Sequence, residues 1–249
     1  MTMKKLVRAH LLLIVCLICQ TSFIFAQQKI ELYPPNWWIG MKWNKVQILA
    51  HSDNSSFNQL EVSIKHRGIT LEKVHRLENG KYMALDLSIA PDAEPGKVNI
   101  QFAGKKGKSQ TVVWTLQTRR TGNGTEFAKG VTSSDFIYLL MPDRFSNGNP
   151  ANDRLAGFRD QTLNRDSIFH RHGGDLQGVI NHLDYLEELG VTTVWMTPPL
   201  ENDMPNRTEH GYACTNHYKI DPRHGGNDAY KQLSDALHQR GMKLIQDAV

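Results

Sequence analysis

Residues 175–197, DLQGVINHLDYLEELGVTTVWMT, decide the fold class. Asp175 is a helix-capping residue, and Leu176, Val179, Ile180, Leu183, Leu186 and Leu189 keep helical spacing up to Gly190, a helix stop. Val191 to Thr197 then reads as a buried strand. The same alternation extends both ways. Phe136 to Met141 (FIYLLM) is a continuous apolar run, expected to be a strand buried on both faces. Beyond a long polar connection from Pro198 to Gly226, a second helix is expected from Asn227 to Arg240 on Tyr230, Leu233, Ala236 and Leu237. Gly241 ends it, and Met242 to Val249 (MKLIQDAV) supplies a third strand. Strand, helix, strand, helix, strand is the start of a parallel α/β domain, a barrel or an open sheet. A buried strand with nothing after it leaves such a sheet incomplete, so the sequence is expected to be an amino-terminal piece.

Toward the amino terminus the period changes from helical to two. Val46, Ile48 and Ala50 alternate with polar neighbours, as do Leu60, Val62 and Ile64. Similar runs occupy Tyr82–Ile89, Lys97–Phe102 and Gln110–Leu116, separated by clusters of Asn, Asp, Gly and Ser. This pattern predicts an all-β, Ig-like antiparallel sandwich over residues 27–118. Residues 119–130 (RTGNGTEFAKG after Arg119) show no period and read as a linker, with the α/β domain over 131–249.

The first 26 residues hold Lys4, Lys5 and Arg8, no acid, and the apolar run Leu11–Cys19, ending in Phe23-Ile24-Phe25-Ala26. That is the layout of a secretory leader cleaved after Ala26, and the apolar run is too short to span a bilayer of the ~20 residues required. Export, to the periplasm or beyond, is the expectation. The net charge of +4 over 249 residues falls to +1 without the leader. No basic stripe remains for nucleic acid, so that class is set aside. Of three cysteines only Cys214 lies outside the leader, so no internal disulfide is expected.

Two stretches carry candidate chemistry. Asn147, Asn149, Asn152 and Asp153, with Gly173-Gly174-Asp175 further on, place amide and carboxylate oxygens at the spacing a hard cation such as calcium uses; an ordinary Asn/Gly/Asp turn is the competing reading. The 198–226 connection, at the carboxyl end of a strand where α/β folds bind ligands, carries Glu201, Asp203, Glu209, His210, Tyr212, His217, Tyr218, Asp221 and His224. Its histidines lack a short His-x-x-x-His pair and read as surface or pocket residues rather than metal ligands. Trp37, Trp38 and Trp195 lie in or beside apolar strands and are expected in the core. Asp247 stands near the end of the third strand, either facing chemistry or capping the next loop.

Together these residues resemble the α-amylase superfamily, glycoside hydrolase family 13, in its neopullulanase and cyclomaltodextrinase branch. The resemblance is carried by 137–150 (IYLLMPDRFSNGNP), 173–178 (GGDLQG), 189–192 (LGVT), 199–202 (PLEN), 210–213 (HGYA), 218–223 (YKIDPR) and 241–249 (GMKLIQDAV), with 34–41 (PPNWWIGM) similar to the start of that branch's sandwich. It implies a sandwich followed by the first three strands of a (β/α)8 barrel, and hydrolysis of α-1,4 bonds in starch-derived maltodextrins, pullulan or cyclodextrins. It implies that His210, Tyr212 and Asp247 form the substrate site, with Asp247 orienting neighbouring charges, and that Asn147, Asn149, Asn152, Asp153, the Gly173 carbonyl and Asp175 bind calcium. A homodimer is compatible with it. Asn216 and His224 depart from the aspartate and aromatic that relatives usually carry. The retaining chemistry needs two carboxylates about 5 Å apart, which the family takes from the fourth, fifth and seventh barrel strands, so no residue of this chain is assigned a catalytic role. A non-catalytic α-glucan-binding protein and an unrelated open-sheet domain are the alternatives.

Overall fold

The computed structural model describes residues 29–53, 56–104, 109–122 and 124–249. The leader expected over residues 1–26 lies outside the described residues, among which no helix is long and apolar enough to cross a membrane. The chain divides into two compact units, one running to Arg119 and the other from Arg120 to Val249.

The first unit contains β1 (Glu31–Tyr33), β2 (Asn36–Trp38), β3 (Lys45–His51), β4 (Glu61–Ile64), β5 (Ile69–Arg76), β6 (Tyr82–Ile89), β7 (Gly96–Ala103) and β8 (Ser109–Gln117). They form two four-stranded sheets, ordered β1-β3-β6-β5 and β2-β8-β7-β4. Alternation turns Val46, Ile48 and Ala50 of β3 and Met83, Leu85 and Leu87 of β6 inward, against Val98, Ile100 and Phe102 of β7 and Trp114 and Leu116 of β8. Each large side chain sealed there stabilises the fold by about 1.5–3 kcal/mol. Trp114 is fully buried, and its indole N–H donates to the Pro34 carbonyl at 2.9 Å, so its one polar atom is satisfied.

Two features differ from the expected antiparallel sandwich. β2 pairs with β8 in parallel. β5, which the hydrophobic pattern did not reveal, pairs with β6 across an irregularity between Leu71 and Lys73. That bulge offsets Val74 from the period set by Ile69 and Leu71, which hides the strand in the sequence.

The second unit contains β9 (Ile137–Leu140), α1 (Pro142–Phe145), α2 (Leu176–Ile180), α3 (Leu183–Glu188), β10 (Thr193–Met196), β11 (Leu200–Glu201), β12 (Asn216–Ile220), α4 (Gly226–Gln239) and β13 (Lys243–Gln246). β9, β10 and β13 make a parallel sheet in the order β13-β10-β9. Leu176, Val179, Leu183 and Leu186, with Leu233 and Leu237 of α4, cover Leu140, Val194 and Met196.

The helix expected to run unbroken from Asp175 to Gly190 is two. The His182 ring bonds the Gly178 carbonyl at 2.8 Å, and His182 itself leaves helical geometry at φ −117°, ψ 18°. β9 is not buried on both faces: Leu140 is sealed, while Ile137 and Leu139 are 39% and 54% exposed. Helices cover the face that carries Leu140, Val194 and Met196; on the opposite face Ile137 and Leu139 are exposed while Thr193 of β10 is buried. The 198–226 connection is not an irregular loop either. β11 and β12 pair antiparallel within it, with Leu200 opposite Ile220.

Candidate functional site

The carboxyl ends of the parallel strands bring together the three residues expected to face substrate. Asp247 directly follows β13. His210, Gly211 and Tyr212 lie between β11 and β12, and Gly211 has φ +84°, where a Cβ would stand 2.1 Å from the Pro198 carbonyl oxygen. Only glycine lets the segment pack so closely on the strand end. Tyr212 Oη then donates to Asp247 Oδ2 at 2.7 Å across 35 residues of sequence. That bond holds the phenol proton and pushes the Tyr212 pKa up. The Tyr212 backbone N–H donates to His210 Nδ1 at 2.9 Å, which puts the proton of a neutral imidazole on Nε2. The two rings lie nearly parallel, 24° apart with centroids 6.0 Å apart, and Tyr212 remains 44% exposed. An exposed, oriented phenol face beside an imidazole donor and a carboxylate suits a polyhydroxylated ring.

The candidate calcium residues also converge. Asp175 is fully buried; its Oδ1 accepts from the backbone N–H groups of Gly148 and Gly178, and its Oδ2 from Asn149 N–H and Asn152 Nδ2. It thereby caps α2 and ties it to the 147–153 turn. Asn147 Nδ2 donates to Asp153 Oδ1 at 2.7 Å. Burial pushes the Asp153 carboxyl pKa up, and the Asp175 and Asp143 charges add to it. The amide oxygens Asn147 Oδ1 and Asn152 Oδ1 are buried without a hydrogen-bond partner. Asn149 Oδ1 is engaged, accepting from Ala151 N–H at 3.2 Å. Gly173 has φ +83°, and a Cβ there would crowd Asn147 Nδ2 and Asp153 Oδ1 at 2.8 Å each. Two carboxylates and two orphaned amide oxygens fit an oxygen-seeking hard cation. Among the described residues no group of three His, Cys, Asp or Glu is placed to hold a metal. Of the three histidines in the 198–226 connection, His210 accepts the Tyr212 N–H, His217 bonds the Val249 carbonyl, and His224 bonds the Gly174 carbonyl at 3.1 Å.

A buried charged network, of which the sequence had singled out only Asp221 and His224, joins these segments. Arg223 is fully buried and grips both Asp221 oxygens, Nε to Oδ1 at 3.0 Å and Nη2 to Oδ2 at 2.7 Å. The same guanidinium donates to the carbonyls of Asn202 and Asp160 and stacks on the Phe158 ring. Burial pushes Asp221 up, but the Arg223 hydrogen bonds together with the charges of His224, Arg223 and Arg171 outweigh it, and the net shift is down. Asp160 Oδ2 accepts from the Thr208 hydroxyl at 2.8 Å, and Thr208 in turn accepts from Arg171. Arg171, 1% exposed, sits 3.5 Å from Asp143 Oδ1. Asp143 accepts the N–H groups of His172 and Gly173, which closes the path back to the candidate cation turn. Isolated arginines and aspartates in polar loops carry no periodic signal, so nothing short of the fold could mark them as buried.

Two family models match the chain: the cyclomaltodextrinase N-terminal domain over residues 31–120 and the α-amylase catalytic domain over residues 137–249. Similar curated proteins include a cyclomaltodextrin glucanotransferase of Klebsiella oxytoca, 42% identical over 45% of this chain and 18% of that protein. The periplasmic α-amylase of Escherichia coli is 34% identical over 54% of this chain and 22% of that protein. Neopullulanase 2 of Thermoactinomyces vulgaris is 40% identical over 45% and 19%. The match spans about a fifth of the length of these relatives. Residues 31–120 thus match a cyclomaltodextrinase N-terminal domain, and residues 137–249 match part of an α-amylase catalytic domain.

Proposed function

We propose that this protein serves the hydrolysis of α-1,4-glucosidic bonds in maltodextrins, pullulan or cyclodextrins by a retaining, two-carboxylate mechanism. The observation that carries the reading is the 2.7 Å bond from Tyr212 to Asp247 at the carboxyl ends of the parallel strands, where barrel enzymes bind substrate. Tyr212 stacks on a sugar ring, His210 offers Nε2–H to a hydroxyl, and Asp247 fixes the phenol and orients neighbouring charge. The nucleophile and the acid are not assigned to any residue of 1–249. The names of the similar proteins, which include neopullulanase, cyclomaltodextrinase and maltogenic α-amylase, support the substrate class.

Asn147, Asn149, Asn152, Asp153, the Gly173 carbonyl and Asp175 would hold a calcium ion, whose charge offsets the two buried carboxylates and fixes the turn beneath the site. Export is supported by the basic and apolar opening sequence and by the similarity to a periplasmic α-amylase. The test is product stereochemistry, followed by proton NMR during maltodextrin hydrolysis by a protein that carries these residues together with the later barrel strands. Initial release of the α-anomer is expected; the β-anomer, or no release, contradicts the reading.

A further inference from the structure

We propose that Thr208 is a positioning residue, whose hydroxyl fixes the backbone that presents His210 and Tyr212. β11 and β12 pair at Leu200 and Glu201, the latter opposite Asn216, so their ladder stops short of the 202–215 segment. Side chains must hold that segment in place, and Thr208, 1% exposed, lies at its middle. Its Oγ1 donates to Asp160 Oδ2 at 2.8 Å, and its backbone N–H donates to the same oxygen at 3.3 Å. The same hydroxyl accepts from Arg171 Nη1 at 3.3 Å. Asp160 Oδ1 in turn accepts the Thr162 hydroxyl at 2.7 Å, and that hydroxyl accepts the Arg171 backbone N–H at 3.2 Å. Two hydroxyls, one carboxylate and one arginine thus close a ring of hydrogen bonds. Thr208 is the member of that ring that belongs to the hairpin.

The ring is firm because its charges are sealed. Burial pushes the Asp160 carboxyl pKa up, but the donations from Thr162 and Thr208 outweigh it, and the net shift is down. Arg171 is buried too, and its Nε and Nη2 make no hydrogen bond. Among the described residues the Thr208 hydroxyl is therefore the hydrogen-bond acceptor of that guanidinium, and removing it strands a buried donor. Arg207, one residue earlier, has φ +57°, a left-handed backbone that a non-glycine residue keeps only where its surroundings impose it. Past Thr208, Gly211 is packed against the Pro198 carbonyl oxygen. The backbone is gripped at 208 and at 211, with His210 between the grips and Tyr212 just beyond them. The bond of 2.9 Å from Tyr212 N–H to His210 Nδ1 forms across that span. Thr208 acts through these neighbours, and what they do with a sugar rests on the proposed function.

The test has two arms. In the full chain, NMR of the His210 ring nitrogens at about pH 8, where an ordinary imidazole is neutral, reads the tautomer that the Tyr212 bond fixes. The wild type is expected to hold its proton on Nε2, Thr208→Val to average the two tautomers, and Thr208→Ser to keep the wild-type signals. A wild-type measurement guards against a variant that does not fold. The Thr208 and Tyr212 N–H groups are expected to open together, with hydrogen-exchange protection within about tenfold of each other. In a protein that also carries the later barrel strands, Thr208→Val is expected to lower kcat on maltodextrin about tenfold with KM nearly unchanged, and Thr208→Ser to retain it. Wild-type tautomer signals in Thr208→Val overturn the inference, as does their loss in Thr208→Ser. Protection of Thr208 without Tyr212 overturns it too, and so does an unchanged kcat in a variant whose signals have averaged. A longer protein that releases no sugar in its wild-type form overturns the proposed function instead, and the NMR arm still decides the role of Thr208.

Discussion

The two units bury different things. The interior of the sandwich is apolar, with Ser52 as its buried polar side chain among the described residues. The α/β unit buries Asp143, Asp160, Arg171, Asp175, Asp221, Arg223 and His224 together with its leucines. Charge is expensive to desolvate, and a fold gains little stability by enclosing it. Where it is enclosed and paired, it fixes the position of the segments it joins. Here it joins the 147–153 turn, the 158–173 segment and the β11–β12 hairpin that presents Tyr212. The sandwich is built for stability and the α/β unit for placement.

The largest effect that would break this contrast is loss of one partner of the central pair. Arg223→Ala leaves Asp221 buried and uncompensated, and should destabilise the second unit by about 3–5 kcal/mol. Leu85→Ala, in the sandwich core, should cost about 2–5 kcal/mol through the cavity it leaves. Chemical unfolding followed by hydrogen exchange resolves the units, and each variant should weaken protection only in its own. Protection lost equally in both would remove the contrast.

Calcium sharpens it further. Chelator should lower the melting temperature of the α/β unit and leave the sandwich unchanged, an effect of about 2.7 kcal/mol when the free ion is at a hundred times its Kd. Because Asp175 also holds four N–H donors, Asp153→Ala is the cleaner variant, and it should abolish the chelator response. A melting curve unmoved by chelator, with no calcium in elemental analysis, would exclude the site.

The pH response should likewise fall on one unit. Burial pushes the His224 pKa down, and the nearby Arg171 charge adds to this. The folded state therefore prefers the neutral ring. Its contribution is complete above the unfolded-state value near 6.5 and is lost as pH falls below it, by at most about 1.4 kcal/mol per pH unit. His224→Phe should flatten that acid loss in stability measured from pH 7 to pH 5. A slope unchanged in the variant would assign the loss to other groups. The smallest effect belongs to the surface: removing the exposed Lys231–Asp235 pair on α4 by Lys231→Ala should change stability by less than about 0.5 kcal/mol.

Most of the architecture was legible in the sequence. The inward residues of β3, β6 and β7 announce themselves by strict alternation, and α4 by its 3.6-residue period. β5 was hidden by a bulge of one residue, and the α2–α3 break by a histidine that bonds back to Gly178. Site residues were legible in a different way. Tyr212 and Asp247 were found through motifs that resemble a family, and their contact lies 35 residues apart, beyond any local pattern. The burial of Arg171 and Arg223 was not legible, even though Arg223 ends the YKIDPR motif, because burial of a lone arginine depends on which segments close over it. Trp38 looked like core from its neighbours, but an edge strand has an outer face, and alternation put it there.

We propose that residues 27–249 orient substrate, and that the reacting carboxylates come from later barrel strands. Reducing-sugar release from maltodextrin tests it most directly, measured on residues 27–249 and on a protein that adds the later barrel strands. No release is predicted from residues 27–249. Release is predicted from the longer protein, falling about a hundredfold in Tyr212→Ala, as misplacement of a bound ring permits. Measurable hydrolysis by residues 27–249 alone, or full activity in Tyr212→Ala, would contradict the account.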